Sequence, residues 1–286
     1  MGGVDGLART EEGVRVPFAT YRLQLHAGFT FADAQAALPA IAGLGVSHVY
    51  ASPIQLARPG STHGYDVADP SRINHELGGE EGFLRFCEAL RRHGLGLVVD
   101  IVPNHMGIGP ANPWWMSLLR HGLNSPHAAA FDVDVDRPGA EGRLVLPSLG
   151  EPYGAMLEAG GIGPAGDDAR GLAAGARGAP YPLVPATWDT LLADAADAAT
   201  EAAPVLRSLA AASQALQCGA GEDRASAGDD LARSLAAAMR EEPGLRHAVG
   251  KAVDALRGQP GEPGSFDRWH DLLERQHWRL AHWRTA

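Results

Sequence analysis

Val98-Val99-Asp100-Ile101-Val102-Pro103-Asn104-His105 is the stretch on which the fold turns. It is an apolar run of the kind that makes a buried strand, and it stops abruptly in polar groups. In parallel α/β sheets the strand interiors are near-continuous Val, Ile and Leu, and ligands sit at the carboxyl ends of the strands. Asp100, Asn104 and His105 stand at such an end. An Asp late in a strand also serves simply to tie down a loop, so this stretch suggests a site only together with its neighbours.

Working outward, the segments before it alternate strand and helix. The pattern predicts a strand over Pro17 to Leu25, a helix over Phe31 to Gly43 and a strand over Val46 to Ala51, then a helix over Glu80 to His93 and a strand over Leu95 to Val102. Phe83, Phe86, Cys87 and Leu90 fall at i, i+3, i+4 and i+7 on one apolar helix face, and Gly94 supplies a stop. Pro39 predicts a kink or a boundary in the first helix. A βαβαβ order makes a parallel sheet with right-handed crossovers, either doubly wound or part of a (β/α)8 barrel.

After His105 the alternation stops. Phe131, Val133 and Val135 alternate with Asp132, Asp134 and Asp136, and Arg143 to Pro147 is a second extended run, which together predict a small β hairpin. Gly154 to Ala179 is rich in Gly and Ala and reads as a flexible loop. Trp188 to Gly258 is Ala-rich and helix-forming, with breaks at Pro204, Gly219 to Gly221 and Pro243-Gly244. From Phe266 to Trp283 the residues Trp269, Leu272, Leu273, Gln276, Leu280 and Trp283 fall on one helical face, with no fourth barrel strand before Ala286.

Composition bounds the function. A chain of 286 residues with 45% hydrophobic content can bury a substantial core, and a formal net charge of −10 disfavours nucleic acid or an anionic membrane as a partner. The two cysteines, Cys87 and Cys218, are far apart and lack metal-type spacing, so neither a disulfide framework nor a structural zinc site is expected. Met1-Gly2-Gly3-Val4-Asp5 lacks the basic start and apolar core of a signal peptide, and no stretch approaches a membrane span, so a cytoplasmic location is expected. Lys251 is the one lysine among 24 basic residues, a bias attributed to base composition rather than to function.

A second loop faces the same side as Asp100. Ser52-Pro53-Ile54 leads into Gly60-Ser61-Thr62-His63-Gly64-Tyr65-Asp66-Val67-Ala68-Asp69. A Tyr ring stacks on the apolar face of a pyranose while neighbouring carboxylate and imidazole groups bond its hydroxyls, so this loop points to sugar recognition. The competing reading is that Tyr65 packs locally and Asp66 caps a turn. Trp114-Trp115 could likewise be a sugar platform, with packing as the favoured alternative. Asp132, Asp134 and Asp136 imitate the start of an EF-hand, but Arg137 and Arg143 stand where that loop needs Gly and a bidentate Glu, which rejects calcium. Gly94 and Gly96 precede a strand rather than follow one, so there is no dinucleotide fingerprint, and there is no phosphate-binding Walker loop. No cofactor and no metal site is expected.

Asp100-Ile101-Val102-Pro103-Asn104-His105 resembles the first conserved region of the α-amylase superfamily, and His63-Gly64-Tyr65-Asp66-Val67 resembles its sugar-stacking loop. More narrowly, Thr20-Tyr21-Arg22-Leu23-Gln24-Leu25, Ser47 to Pro53, Arg58 to Val67 and Leu77-Gly78-Gly79 together resemble the maltooligosyl trehalose synthases. Asn112-Pro113-Trp114-Trp115, Leu149 to Gly154, Pro182 to Pro185 and Gln276 to Ala281 extend the likeness from about Phe18 to the last residue.

The resemblance implies an α/β fold: an incomplete (β/α)8 barrel of the first three βα units in residues 1–111, with an inserted, largely helical subdomain in 112–265. Residues 266–286 would be a helix leading back toward the rest of the barrel. It implies an isomerase of the intramolecular transferase class, glycoside hydrolase-like in mechanism, acting on malto-oligosaccharides in trehalose biosynthesis. His63, Tyr65, Asp66 and His105 would bind the sugar, His105 by hydrogen bonds and Tyr65 by stacking, while Asp100 and Asn104 would organise the site from beneath. No catalytic residue is expected in this chain, because the family's nucleophile Asp and acid/base Glu follow later barrel strands and should lie beyond Ala286. The alternatives are a hydrolytic α-amylase relative and a non-catalytic carbohydrate-binding fragment. Three strands alone would leave an open sheet edge and an uncovered apolar face, so the isolated chain is expected to be poorly stable or aggregation-prone.

Overall fold

The computed structural model describes residues 16–167, 171–218 and 221–284, without the side chains of 166, 167, 221, 222 and 263. Met1 to Asp5, Gly219 and Ala286, on which some of the expectations rest, lie outside the described residues. The chain divides into two compact units, Met1–Pro113 and Trp114–Ala286.

In the first unit β1 (Thr20–Leu23), α1 (Phe31–Gly43), β2 (His48–Ala51), the antiparallel pair β3 (Gln55–Ala57) and β4 (Val67–Ile73), α2 (Gly79–Arg92) and β5 (Gly96–Val99) follow one another. The sheet is parallel in the order β1, β2, β5, with Arg22 opposite Tyr50 and Tyr50 opposite Val98. Side chains alternate across a strand, so each face is decided by parity. Leu23, Val49, Ala51, Leu97 and Val99 turn to one face, where they join Phe31, Ala34, Leu38 and Ile41 of α1 and Phe86, Ala89 and Leu90 of α2. Both helices therefore cover the same face. Arg22, His48, Tyr50 and Val98 occupy the other.

The ends of these helices follow from their residues. Thr30 N–H and the Thr30 hydroxyl both donate to Asp33 Oδ2 at 2.8 Å, which opens α1 with its expected bounds. The helix runs on through Pro39 to Gly43. The kink or boundary expected there does not end it, because Leu38 and Ile41 on either side of the proline are both buried in the core. Phe31 stacks on Phe86 with centroids 5.8 Å apart, and a Cβ on Gly82 would sit 3.4 Å from the Phe31 ring, so that glycine sets the spacing of α1 and α2.

The second unit holds α3 (Pro113–His121), β6 (Leu144–Leu149), α4 (Tyr153–Glu158), β7 (Ile162–Asp167), β8 (Gly171–Ala176), β9 (Ala179–Pro182), α5 (Asp189–Ala198), α6 (Ala203–Ala215), α7 (Gly221–Glu241), α8 (Pro243–Asp254), α9 (Asp267–Glu274) and β10 (Trp278–His282). Three expectations are corrected here. The Phe131 to Asp136 segment forms no strand among the described residues; Phe131 and Val133 pack on the core, and Asp136 N–H bonds Asp134 Oδ1 in a local turn. The extended run after Arg143 does form β6, but it pairs in parallel with β10 rather than in a hairpin. The described residues of the Gly/Ala-rich stretch make α4 and the antiparallel sheet β7, β8, β9 rather than a loop. Its small residues answer close packing, since a Cβ on Gly171, at φ +94°, would stand 2.5 Å from the buried Trp188 ring.

The last segment is likewise not one helix. The helical face ends with α9, and Trp278 and Leu280 then alternate inward as a strand. The breaks expected at Pro204 and Pro243 fall between helices, each proline standing in the first turn of the helix that follows, α6 and α8, where a missing N–H costs nothing. Trp188, Trp269 and Trp278 are fully buried, and each indole N–H finds a carbonyl, on Leu183, Ile162 and Pro182 respectively. No described helix is long and apolar enough to cross a membrane.

Candidate carbohydrate site

Asp100 is the first residue beyond β5, and its N–H still bonds the Ala51 carbonyl at 2.9 Å, which carries the ladder one step past the strand. It stands two residues after Val98 and so points to the face away from the helices. There Oδ2 of Asp100 accepts two phenolic protons, from Tyr65 at 2.5 Å and from Tyr50 at 2.9 Å. Arg22 donates to the Tyr65 oxygen at 3.0 Å, and its guanidinium lies 5.8 Å from the Tyr50 ring centre. Because a guanidinium only donates, the Tyr65 oxygen accepts from Arg22 and its proton goes to Asp100. The Tyr65 bond above all, then that from Tyr50 and the Arg22 charge, hold the Asp100 carboxyl below its usual value against the effect of burial. The same contacts raise Tyr50, chiefly through its bond to Asp100, and Arg22, chiefly through its bond to Tyr65.

Tyr65 comes from the connection between β3 and β4, whose ends are tied by Arg58 N–H to the Asp66 carbonyl at 3.0 Å. Gly64 has φ +80°, and a Cβ there would meet the Pro53 carbonyl at 2.8 Å, so the turn requires glycine. Ser61 donates to Asp66 Oδ1 at 2.5 Å and accepts from Gly64 N–H, and Tyr65 N–H donates to His63 Nδ1 at 3.0 Å. The His63 and Tyr65 rings stack with centres 6.0 Å apart. Gln24 reaches the Thr62 carbonyl at 2.9 Å and accepts from Arg22, joining β1 to the same loop.

Of the six residues expected from sequence, Tyr65 and Asp100 are in direct contact, with His63 and Asp66 on the same loop. Asn104 and His105 are exposed and pair with each other, His105 Nδ1 and Asn104 Oδ1 being 2.9 Å apart. That bond leaves the His105 Nε2 edge as an acceptor. Arg22, Tyr50, Ser61 and Gln24 were missed as site residues. Arg22 and Tyr50 fall on the sheet face that Asp100 also occupies, which only the strand register reveals. Trp114 stacks flat on His127 at 5.0 Å and Trp115 packs against Phe131, in accord with the packing alternative. Among the described residues no group of three or more His, Cys, Asp or Glu is placed to hold a metal ion.

A family model described as the α-amylase catalytic domain matches residues 35–120. A putative maltooligosyl trehalose synthase of Mycobacterium tuberculosis is 48% identical over 139 residues, 46% of this chain and 18% of that protein. Among solved structures, a maltooligosyl trehalose synthase superposes with a TM-score of 0.62 at 26% identity over 95% of this chain. This chain is similar to the maltooligosyl trehalose synthases over the matched residues. The synthase of Arthrobacter ramosus gives a TM-score of 0.59 at 27% identity, over 94% of this chain and 24% of that one. The likeness to these synthases thus runs through both units, yet the chain spans only about a fifth to a quarter of their lengths.

Proposed function

We propose that the chain is a part of a maltooligosyl trehalose synthase-like enzyme, in which the first unit supplies the opening βα units of a (β/α)8 barrel and the second an inserted subdomain. The observation that carries this reading is the placement of both helices on one sheet face while Arg22, Tyr50 and Asp100 stand together on the other, at the strands' carboxyl ends. Helices on one side only and polar groups at the carboxyl ends on the other are what a barrel requires.

In this reading a malto-oligosaccharide lies over Tyr65, its pyranose face on the ring, with His63, Asp66 and His105 bonding its hydroxyls. The Tyr65 ring is a good platform because its oxygen is fixed from both sides, by Arg22 and by Asp100. Asp100 itself is suited to organise rather than to attack, since its Oδ2 lone pairs are engaged by two tyrosines. The nucleophile and the acid/base carboxyl are assigned to parts of the enzyme other than these residues. The complete enzyme would work as a retaining glycosidase does, through a glycosyl-enzyme formed by one carboxylate while the second acts as acid and then base. The acceptor would be the released glucose, held in an enclosed site until its anomeric hydroxyl attacks, which converts the reducing-end α-1,4 bond to α,α-1,1 with water excluded. The ligand is neutral, in keeping with an acidic chain; neither nucleic acid nor membrane is a partner, and the location is cytoplasmic.

The test is incubation of the purified chain with maltohexaose, following reducing ends and product mass, beside calorimetric binding. Binding without turnover is expected. Loss of reducing ends at unchanged mass would overturn the assignment of the carboxylates to other parts, new reducing ends would favour a hydrolase, and no binding by folded protein would overturn the sugar site.

A further inference from the structure

The loop that presents Tyr65 is fastened to β1 by Gln24 and Arg22, and it has a further attachment on the side of the segment that follows β4. Glu76 lies there, in the short 3-10 helix His75–Leu77. Its own placement is firm. Asn74, buried at 4% exposure, accepts the Glu76 N–H on Oδ1 at 3.0 Å and donates its own N–H to the Ile54 carbonyl at 2.9 Å. On the other side of Glu76, Leu77 is buried in the core of the first unit. From this base both Glu76 carboxylate oxygens accept the Gly60 N–H, at 3.1 and 3.2 Å.

That N–H is one the local backbone leaves over. Ser61 N–H bonds the Arg58 carbonyl at 3.0 Å and closes a four-residue turn with Pro59 and Gly60 at its centre, Gly60 having φ +75°. Proline followed by a left-handed glycine is the type II pattern, whose internal bond is made by the fourth residue, so the glycine N–H is left to an outside acceptor. A charged acceptor makes the stronger bond. The same turn sets Ser61, whose hydroxyl donates to Asp66 Oδ1 at 2.5 Å and accepts from Gly64 N–H at 3.1 Å. Gly64 and Asp66 are the two residues that flank Tyr65.

We propose that Glu76 is a positioning residue of the carbohydrate site: by holding the Pro59-Gly60 turn it fixes Ser61, and through Ser61 both neighbours of Tyr65. It acts through these residues and not on the sugar itself. The consequence for binding rests on the carbohydrate reading given above, whereas the positioning is a property of the free chain.

The experiment compares the full chain with Glu76→Ala, Glu76→Gln, Ser61→Ala and the Glu76→Ala/Ser61→Ala pair, by amide hydrogen exchange of the free protein and by calorimetry with maltohexaose. In Glu76→Ala the Gly64 and Tyr65 amides are expected to exchange about three- to tenfold faster, the equivalent of one hydrogen bond, while those of β2 and β5 exchange as in the parent. Maltohexaose affinity falls by about the same factor. Glu76→Gln, whose amide oxygen still accepts, regains most of both, and the pair loses no more than Ser61→Ala alone. Unchanged exchange at Gly64 and Tyr65 in Glu76→Ala, equal acceleration in β2 and β5, no recovery in Glu76→Gln, or additive losses in the pair would each overturn the proposal. A folded parent that binds no maltohexaose sinks the carbohydrate reading instead, and the exchange rates still decide the role of Glu76.

Discussion

Acid should weaken the second unit through Asp229, and the size of the effect can be worked out. The bonds from His121 and Arg120, together with their charges, outweigh the opposing effect of burial and bring the carboxyl from 3.8 to about 2. At about 1.4 kcal/mol per pKa unit this corresponds to a ceiling of about 2.5 kcal/mol. The Asp229 side chain is 39% exposed, so solvent screening reduces the usable part to about 1 kcal/mol. The folded value lies below the unfolded one, so the unfolded chain binds more protons in this range and stability rises with pH. The contribution is complete above about pH 4 and is lost as pH falls toward 2. Tryptophan fluorescence isolates the effect, because all six tryptophans, Trp114, Trp115, Trp188, Trp269, Trp278 and Trp283, lie in the second unit. Urea titrations between pH 6 and pH 2 at fixed salt should show Asp229→Asn weaker than the parent by about 1 kcal/mol above pH 4, with the two curves converging at pH 2. A variant that loses nothing at pH 6, or that keeps the parent's pH slope below pH 4, would refute this account of the Arg120–Asp229–His121 cluster.

Two further outcomes test the first unit. Gly96→Ala would place a Cβ 2.2 Å from the buried His48 ring, whose Nδ1 is 2.8 Å from the Ser47 hydroxyl; overpacking of this kind costs about 1–3 kcal/mol, read by hydrogen exchange of β2 and β5, and His48→Ala in the same chain should restore most of it. Tyr65→Phe and Arg22→Gln should each weaken maltohexaose binding severalfold, and the Arg22→Gln effect should largely vanish in the Tyr65→Phe background, since Arg22 reaches the ring through its oxygen; additive losses in calorimetry would contradict that route.

The parts legible in the sequence were those set by local chemistry. α1 was expected with the bounds it has, and α2 through Phe83, Phe86, Cys87 and Leu90 on one apolar face. Asp100 stood out because it ends an apolar run, and Tyr65 because it stands with His63 and Asp66 in one polar loop. Arg22 and Tyr50 did not, since their meaning depends on a parallel register that pairs residues 28 positions apart. The β7–β9 sheet was misread because Gly and Ala signal a loop when seen alone, whereas here they are what fits beneath Trp188. β10 was misread because Leu272, Leu273 and Gln276 continue the helical period up to a strand; Gln276 is buried to serve the Val184 N–H and the Leu272 carbonyl, not to extend a helix.

The hairpin that carries Tyr65 has only a three-residue first strand and a ladder broken by two register shifts, whereas Asp100 is anchored on the central sheet system. The two halves of the Tyr65–Asp100 contact therefore rest on different supports, a short irregular ladder and the parallel sheet. The Tyr65 ring is thus latched from the sheet side, by Arg22 and Asp100. In the proposed carbohydrate site, a ligand that displaced the Tyr65 ring would act on this short hairpin, while Asp100 keeps its backbone bond to Ala51.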